Sequence, residues 1–355
     1  MCTRVYNNHS QFLSTSRNFD WPAQLPTSLF AFDKGLDKQG TKDATNNTLK
    51  WHSKFSSVVA MIGTNSDENA GEQNVGYGVC DGVNSAGLMV NVLWEGEASL
   101  PNEEALPYWI DLKRLGQYLL DMYESVIEAT AFLEKNQLRI IQSIVPGSDK
   151  QARPHLSLSD SKGNSAIVEF RNQRVVCYVS SNYRIMTNEP DLPTQLNLTQ
   201  AWEWQDKHFS NLDKSALLGG PSSVAHFQRA TYYLAHVRAA VNMQESLAQS
   251  KGIASICAVP AGNMKADGSL GSHTVWQTIA DHNTATYYFA NTRAPGVVWL
   301  PLQQMITEHK FRKHTSWKLE MIVPDPSFED GVYNPSYSGD VSALLKKTDD
   351  PFQLI

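Results

Sequence analysis

What most restricts this chain is how its strand-like runs are distributed. They fall in two clusters around helical stretches and never alternate one by one with helices. The first cluster covers residues 1 to 94: Met1–Tyr6, Phe12–Arg17 running toward Asp20, Ser28–Phe32, Ser57–Ile62 and Gly87–Trp94. Helical spacing follows at Ile110, Leu115, Leu119 and Met122, and Ser125 with Glu128 has the capping-box spacing for a second helix through Leu133. Strands resume at His155–Asp160 and Ser165–Phe170 around the hairpin turn Ser161-Lys162-Gly163-Asn164, then at Val175–Val179 and Tyr183–Thr187. Residues 189–224 are polar, carry Pro and Gly, and read as an extended excursion. Ser222 caps a helix over Val224–Val241, and late strands lie at His273–Gln277, Ala285–Ala290 and Trp317–Met321. This order predicts an α+β fold of packed sheets with helices outside, not a βαβ repeat.

Composition narrows the function classes. The 355 residues are 41% hydrophobic and 19% charged, with a net charge of −6. Without a basic excess there is little to hold phosphates, so nucleic acid is not an expected partner. No apolar run approaches the roughly 18 residues of a membrane helix, and no membrane association is expected. No charged-then-apolar leader opens the chain, so the expected location is the periplasm if a leader has been removed and the cytoplasm otherwise. The glycine-rich Gly76–Gly82 lacks dinucleotide or P-loop spacing and reads as a turn.

The cysteines, Cys2, Cys80, Cys177 and Cys257, form no CxxC pair, so neither a zinc site nor a redox motif is indicated. Cys177 and Cys257 sit in apolar surroundings and read as buried small hydrophobes. Cys2 differs, because removal of Met1 would make it the first residue. A free α-amine titrates at about 7.7–8.0, so one residue then carries both a sulfur nucleophile and a base. By itself a second-position cysteine is more often just a tail residue than a functional one.

Four further elements occur in order. Cys2-Thr3-Arg4-Val5 is followed by Arg17-Asn18-Phe19-Asp20-Trp21. Asp81-Gly82-Val83-Asn84-Ser85-Ala86-Gly87-Leu88 precedes the strand ending at Trp94. Asp160–Glu169 forms the hairpin, and Thr187-Asn188-Glu189-Pro190 comes after it. Together they resemble the choloylglycine hydrolase family, which contains bile salt hydrolases and penicillin V acylases, over most of the chain. The resemblance implies a four-layer αββα N-terminal-nucleophile (Ntn) hydrolase fold over residues 2–324. Residues 325–355 would form a polar C-terminal extension that wraps a neighbour or stays mobile. It also implies a homotetramer, with residues 189–224 as the assembly loop.

Carried over residue by residue, the resemblance makes Cys2 the nucleophile. Arg17 stabilises its thiolate, Asp20 orients the amine, and Asn188 with a backbone N–H near Trp94 holds the oxyanion. Either His226 or Arg229 takes the place of a second family arginine. Trp94, where better-known bile salt hydrolases have an asparagine, and Trp21, directly after Asp20, resemble the Gram-negative penicillin V acylase branch, whose members also cleave N-acyl homoserine lactones. The implied reaction is hydrolysis of a small N-acyl amide through a Cys2 thioester, with no metal or organic cofactor. Conjugated bile salts are the alternative substrate, and a catalytically silent acyl-binding or scaffold protein is the alternative of another class.

Overall fold

The computed structural model describes all residues except 43–46, 64–75, 137, 146–147, 210–218, 295, 309–314, 324–331, 334–337 and 355. In chain order the elements are β1 (Thr3–Asn7), β2 (Ser14–Trp21), β3 (Thr27–Phe32), β4 (Asp37–Gln39), β5 (Lys50–His52), β6 (Ser57–Ile62), β7 (Gly78–Asn84), β8 (Met89–Trp94) and β9 (Tyr108–Asp111). Two helices follow, α1 (Leu112–Met122) and α2 (Val126–Lys135), and then β10 (Leu138–Ile141), β11 (Pro154–Ser159), β12 (Ser165–Arg171), β13 (Arg174–Val179) and β14 (Ile185–Met186). The second half holds α3 (Leu192–Phe209), α4 (Ser223–His236), α5 (Met243–Ile256), β15 (His273–Asp281), β16 (Thr286–Asn291), β17 (Val298–Pro301) and α6 (Leu302–Thr307). It closes with β18 (Ser316–Val323), β19 (Val332–Tyr333), β20 (Gly339–Asp340) and β21 (Lys346–Thr348).

Among the described residues two large sheets face each other. The first runs β14-β1-β2-β15-β16-β17-β20, and the second runs β13-β12-β11-β8-β7-β6-β3-β18-β19, with β21 beside β18. Pairing is antiparallel throughout both except at β17–β20. Phe19, Leu29, Val58, Met89, Val275 and Phe289 belong to the core between the sheets. Leu115, Leu119 and Leu133 of α1 and α2 join a second core on the far face of the second sheet. Phe227, Leu234 and Ile253 of α4 and α5 belong to a third core, on the first sheet. Helices therefore cover both outer faces, the predicted four-layer order.

Side-chain alternation produces this division of faces. On β2, Asn18 donates to Ala254 O of α5 at 2.6 Å, while its neighbour Arg17 donates to Val92 O of β8 at 2.7 Å. The hairpin between β11 and β12 forms as expected, and Ser125 and Ser222 cap α2 and α4 by accepting from Glu128 N and Ala225 N. The Asn84–Gly87 turn is closed by the Asn84 side chain, which accepts from Ala86 N and Leu88 N. At Gly87 φ is +83°, and a Cβ would lie 2.3 Å from His282 O, so only glycine fits there.

Several expectations fail. Residues 192–209 form helix α3, not an extended excursion. Its buried positions are Leu192, Gln195, Thr199 and Trp202, a partly polar stripe that apolar periodicity does not reveal. Helix α5 has no sequence counterpart for a similar reason, since it packs Ser246 and Ser250 against Ser14 Oγ. Helix α4 stops at His236, five residues short of the expected end. Most of Gly76–Gly82 is strand β7, not a turn. The described part of the C-terminal extension does not hang free: β20 and β21 pair with β17 and β18 of the same chain, and Phe352 is buried. Among the described residues, no helix is long and apolar enough to cross a membrane.

Candidate active site

Strands β1 and β2 pair with Thr3 opposite Asn18 and Arg4 opposite Arg17. One step further along that register Cys2 falls opposite Phe19, and Met1 opposite Asp20. The Cys2 sulfur accepts from the Asp20 backbone N–H at 3.5 Å and lies 3.9 Å from Arg17 Nη2. The sulfur thus meets a backbone donor and a guanidinium. Strand β14 flanks β1 on its other side with Met186 opposite Arg4, and continuing that register brings Asn188 opposite Cys2.

Arg17 is fully buried and over-determined in position. Its guanidinium lies 4.9 Å from the Phe19 ring centroid and 4.7 Å from that of Trp276. Nη2 is held by Val92 O, and Nη1 lies 3.9 Å from Asp81 Oδ2. Asp81 accepts from Asn91 Nδ2 at 2.7 Å and Tyr287 OH at 2.8 Å, and Ser157 Oγ in turn donates to Asn91 Oδ1 at 3.0 Å. Asp81 appears in the sequence only as part of a turn motif; that it sits under Arg17 follows from the packing of the two sheets, which brings β7 of one against β2 of the other and which sequence spacing does not disclose.

Asp20 lies on the other side of the sulfur. Its Oδ2 sits 3.1 Å from the α-amine of Met1. Burial raises the Asp20 pKa, while the α-amine, Thr274 and Arg17 pull it back. The chain-terminal amine is therefore the closest charge compensating this carboxylate.

A cleft of about 630 Å³, partly open to solvent, leads to the sulfur. Cys2, Arg17, Phe19, Trp21, Val79 and Trp94 are among its walls. Trp21 and Trp94 meet edge to face with centroids 5.7 Å apart, so both expected rim aromatics are brought together beside Cys2. Cys80, unassigned from sequence, also lines this cleft, and burial pushes its thiol up to about 12.

Asn188 is buried, with Oδ1 lacking a hydrogen-bond partner among the described residues. Its segment is tied down on several sides. Thr187 Oγ1 donates to Ser223 O at 3.2 Å, Gly96 N to Glu189 Oε2 at 3.2 Å, and Leu192 N to Glu169 Oε1 at 2.7 Å. Glu169, the end of the recognised hairpin, thus anchors the start of α3.

His226 and Arg229 do not line the cleft. His226 is buried and exchanges a 3.2 Å hydrogen bond with Thr3 Oγ1. Burial, then the nearby α-amine and Arg229, push it down to about 3, so it is neutral at ordinary pH. Burial and the neighbouring positive charges thus work against the cationic role expected of His226. Arg229 remains the cation on that helix; it donates to Gly220 O at 3.3 Å.

Residues 2–309 match the family described as linear amide C–N hydrolases, choloylglycine hydrolase family. The chain belongs to that family. Its choloylglycine hydrolase relatives include a penicillin V acylase from Pectobacterium atrosepticum, 30% identical over 322 residues covering 86% of this chain and 81% of that protein. Among solved structures, a penicillin V acylase from Agrobacterium tumefaciens superposes with a TM-score of 0.79 at 30% identity, covering 100% of this chain and 99% of that one. A conjugated bile acid hydrolase from Clostridium perfringens gives a TM-score of 0.71 at 15% identity, covering 95% and 100%, and shares the fold. As a choloylglycine hydrolase family member the chain is a linear amide hydrolase with a cysteine in its N-terminal region.

Proposed function

We propose that the chain is an Ntn cysteine amidase that hydrolyses penicillin V, N-acyl homoserine lactones, or both. The observation that carries this reading is the Cys2 sulfur lying between the Asp20 N–H and Arg17, at the foot of a cleft walled by two tryptophans.

Once Met1 is removed, the amine of Cys2 takes the thiol proton, directly or through one water. Asp20 orients that amine, and Arg17 steadies the sulfur charge. The thiolate adds to the amide carbonyl. The Asn188 amide and a backbone N–H near Trp94 stabilise the oxyanion, an effect worth about 2.7–4 kcal/mol per donor in comparable sites. The ammonium returns its proton to the leaving amine, and water then cleaves the thioester. The faces of Trp21 and Trp94 suit a phenoxyacetyl ring or an alkyl chain. Arg229 is the better candidate for the second arginine role, since His226 is neutral.

A homotetramer built through residues 189–224 belongs to the same proposal. Helix α3 supports it by exposing Leu196, Leu198 and Trp204. Hydrolysis of penicillin V, acyl homoserine lactones and conjugated bile salts measured side by side tests the substrate assignment. Turnover confined to the bile salts refutes it.

A further inference from the structure

The Arg17 guanidinium is shared. Nη2 lies 3.9 Å from the Cys2 sulfur, and Nη1 lies 3.9 Å from Asp81 Oδ2. Asp81 is fully buried, and burial raises its pKa, while Arg17 and the hydrogen bonds from Asn91 and Tyr287 pull it back toward the charged form. Arg17 does not depend on Asp81 for its place, because Val92 O and the rings of Phe19 and Trp276 also hold it. A buried carboxylate that is not needed to fix its partner still alters the field around it.

We propose that Asp81 is a positioning residue of a particular kind, a charge regulator acting through Arg17: its carboxylate draws off part of the positive field that would otherwise fall on the Cys2 sulfur. The nucleophile thereby keeps a higher basicity than a lone arginine would allow. A thiolate loses intrinsic nucleophilicity as its basicity falls, so moderating Arg17 favours attack on an unactivated amide. This inference rests on the reading of Cys2 as the nucleophile.

The other ionisable groups around the pair are accounted for. Asp20 and the chain-terminal amine face the sulfur from the first strand pair. Cys80, beside Asp81 on β7, is pushed up to about 12, and Tyr287 of β16 stays protonated, its pKa raised by burial. From the helix layer His226 is neutral, while Arg229 acts on His226 and Cys257. Lys113 and Arg153 lie on the cleft wall. Among these described carboxylates, Asp81 is the one paired with Arg17 on the side away from the sulfur.

The test is the pH dependence of alkylation at Cys2 by iodoacetamide, localised by peptide mass spectrometry on protein lacking Met1. In Asp81→Asn, which keeps shape and removes charge, the apparent thiol pKa should fall by about one unit. An unmoved profile, or one moved to higher pH, in the folded variant overturns the proposal. If Asp81→Asn does not fold, Tyr287→Phe decides. It deletes a donor that favours the charged form of Asp81, so the profile should move to lower pH, in the same direction as in Asp81→Asn but by less; no shift or an upward shift overturns the idea. Amidase activity of Cys2→Ser, measured separately, tests the nucleophile assignment, so the two claims fail by different readouts.

Discussion

The α-amine of Met1 lies 3.1 Å from Asp20 Oδ2, with the Cys2 sulfur 3.5 Å from the backbone N–H of that same aspartate. One residue thus receives the chain-terminal amine on its side chain and the sulfur on its backbone. If Met1 is removed, the amine of Cys2 becomes the terminal group facing Asp20. Protein kept extended at its amino end should therefore show no more than background amidase activity, and trimming to Cys2 should restore it. Full activity in the extended protein, with Cys2 confirmed as internal by mass spectrometry, excludes the amine as base.

Cys2→Ser should fold normally, with a melting temperature close to that of the parent, and lose most turnover. A hydroxyl is far harder to ionise than a thiol. Acyl-enzyme trapping by acid quench and mass spectrometry should find the acyl group on Cys2 of the parent; a trapped group elsewhere would move the nucleophile.

Asp20→Asn keeps the size of the side chain and removes the charge that compensates the amine. Turnover should fall by about 10²-fold or more, with a smaller change in KM, in the range typical of a lost general-base orienter. Steady-state kinetics with one amide substrate, alongside circular dichroism, checks this.

Trp94→Ala removes one of the two meeting rings at the cleft. For a phenoxyacetyl amide KM should rise about tenfold, equivalent to about 1.4 kcal/mol, with a smaller effect on an acetyl amide. Equal losses on both substrates would mean that Trp94 supports the fold and not the acyl group.

Three buried histidines set an acid response. Burial, chiefly, holds His155 at about 3, His226 at about 3 and His282 at about 4, all below the ordinary value of 6.5. Their folded pKa values are depressed, so on acidification the unfolded chain binds protons first. Their contribution to stability is complete above about pH 6.5 and is lost as pH falls toward 4 and 3. Urea unfolding between pH 7 and 5 should show stability falling by as much as about 4 kcal/mol per pH unit at its steepest if all three act. His155→Leu should reduce that slope by close to one proton. An unchanged slope would show that this histidine titrates equally in both states.

Lys38, fully buried, lies 3.1 Å from Asp121 Oδ2 and 3.6 Å from Asp350 Oδ2, so it pins the end of the chain to α1. Lys38→Met strands two carboxylates and should cost about 3–5 kcal/mol in urea unfolding. A loss below about 1 kcal/mol would show that the extension is held by the Phe32 and Phe352 packing instead.

The sequence by itself determined the layered α+β class, the hairpin at Asp160–Glu169, the caps at Ser125 and Ser222, and the group Cys2, Arg17, Asp20, Trp21 and Trp94. The fold features are legible because each depends on local chemistry, namely strand alternation, turn residues and capping oxygens, and the site group because its short motifs resemble those of a known family. Helices α3 and α5 were not legible, since Gln195, Thr199, Ser246 and Ser250 carry their buried stripes and polar residues leave no apolar period. Nor was the charge state of His226, which depends on how completely α4 and β1 exclude water from it. Only the tertiary structure placed Asp81 beneath Arg17, put Cys80 in the wall of the cleft, and folded the C-terminal strands back onto β17 and β18. Those relationships join residues tens to hundreds of positions apart, and they exist only once sheet register and the packing of the two sheets are set.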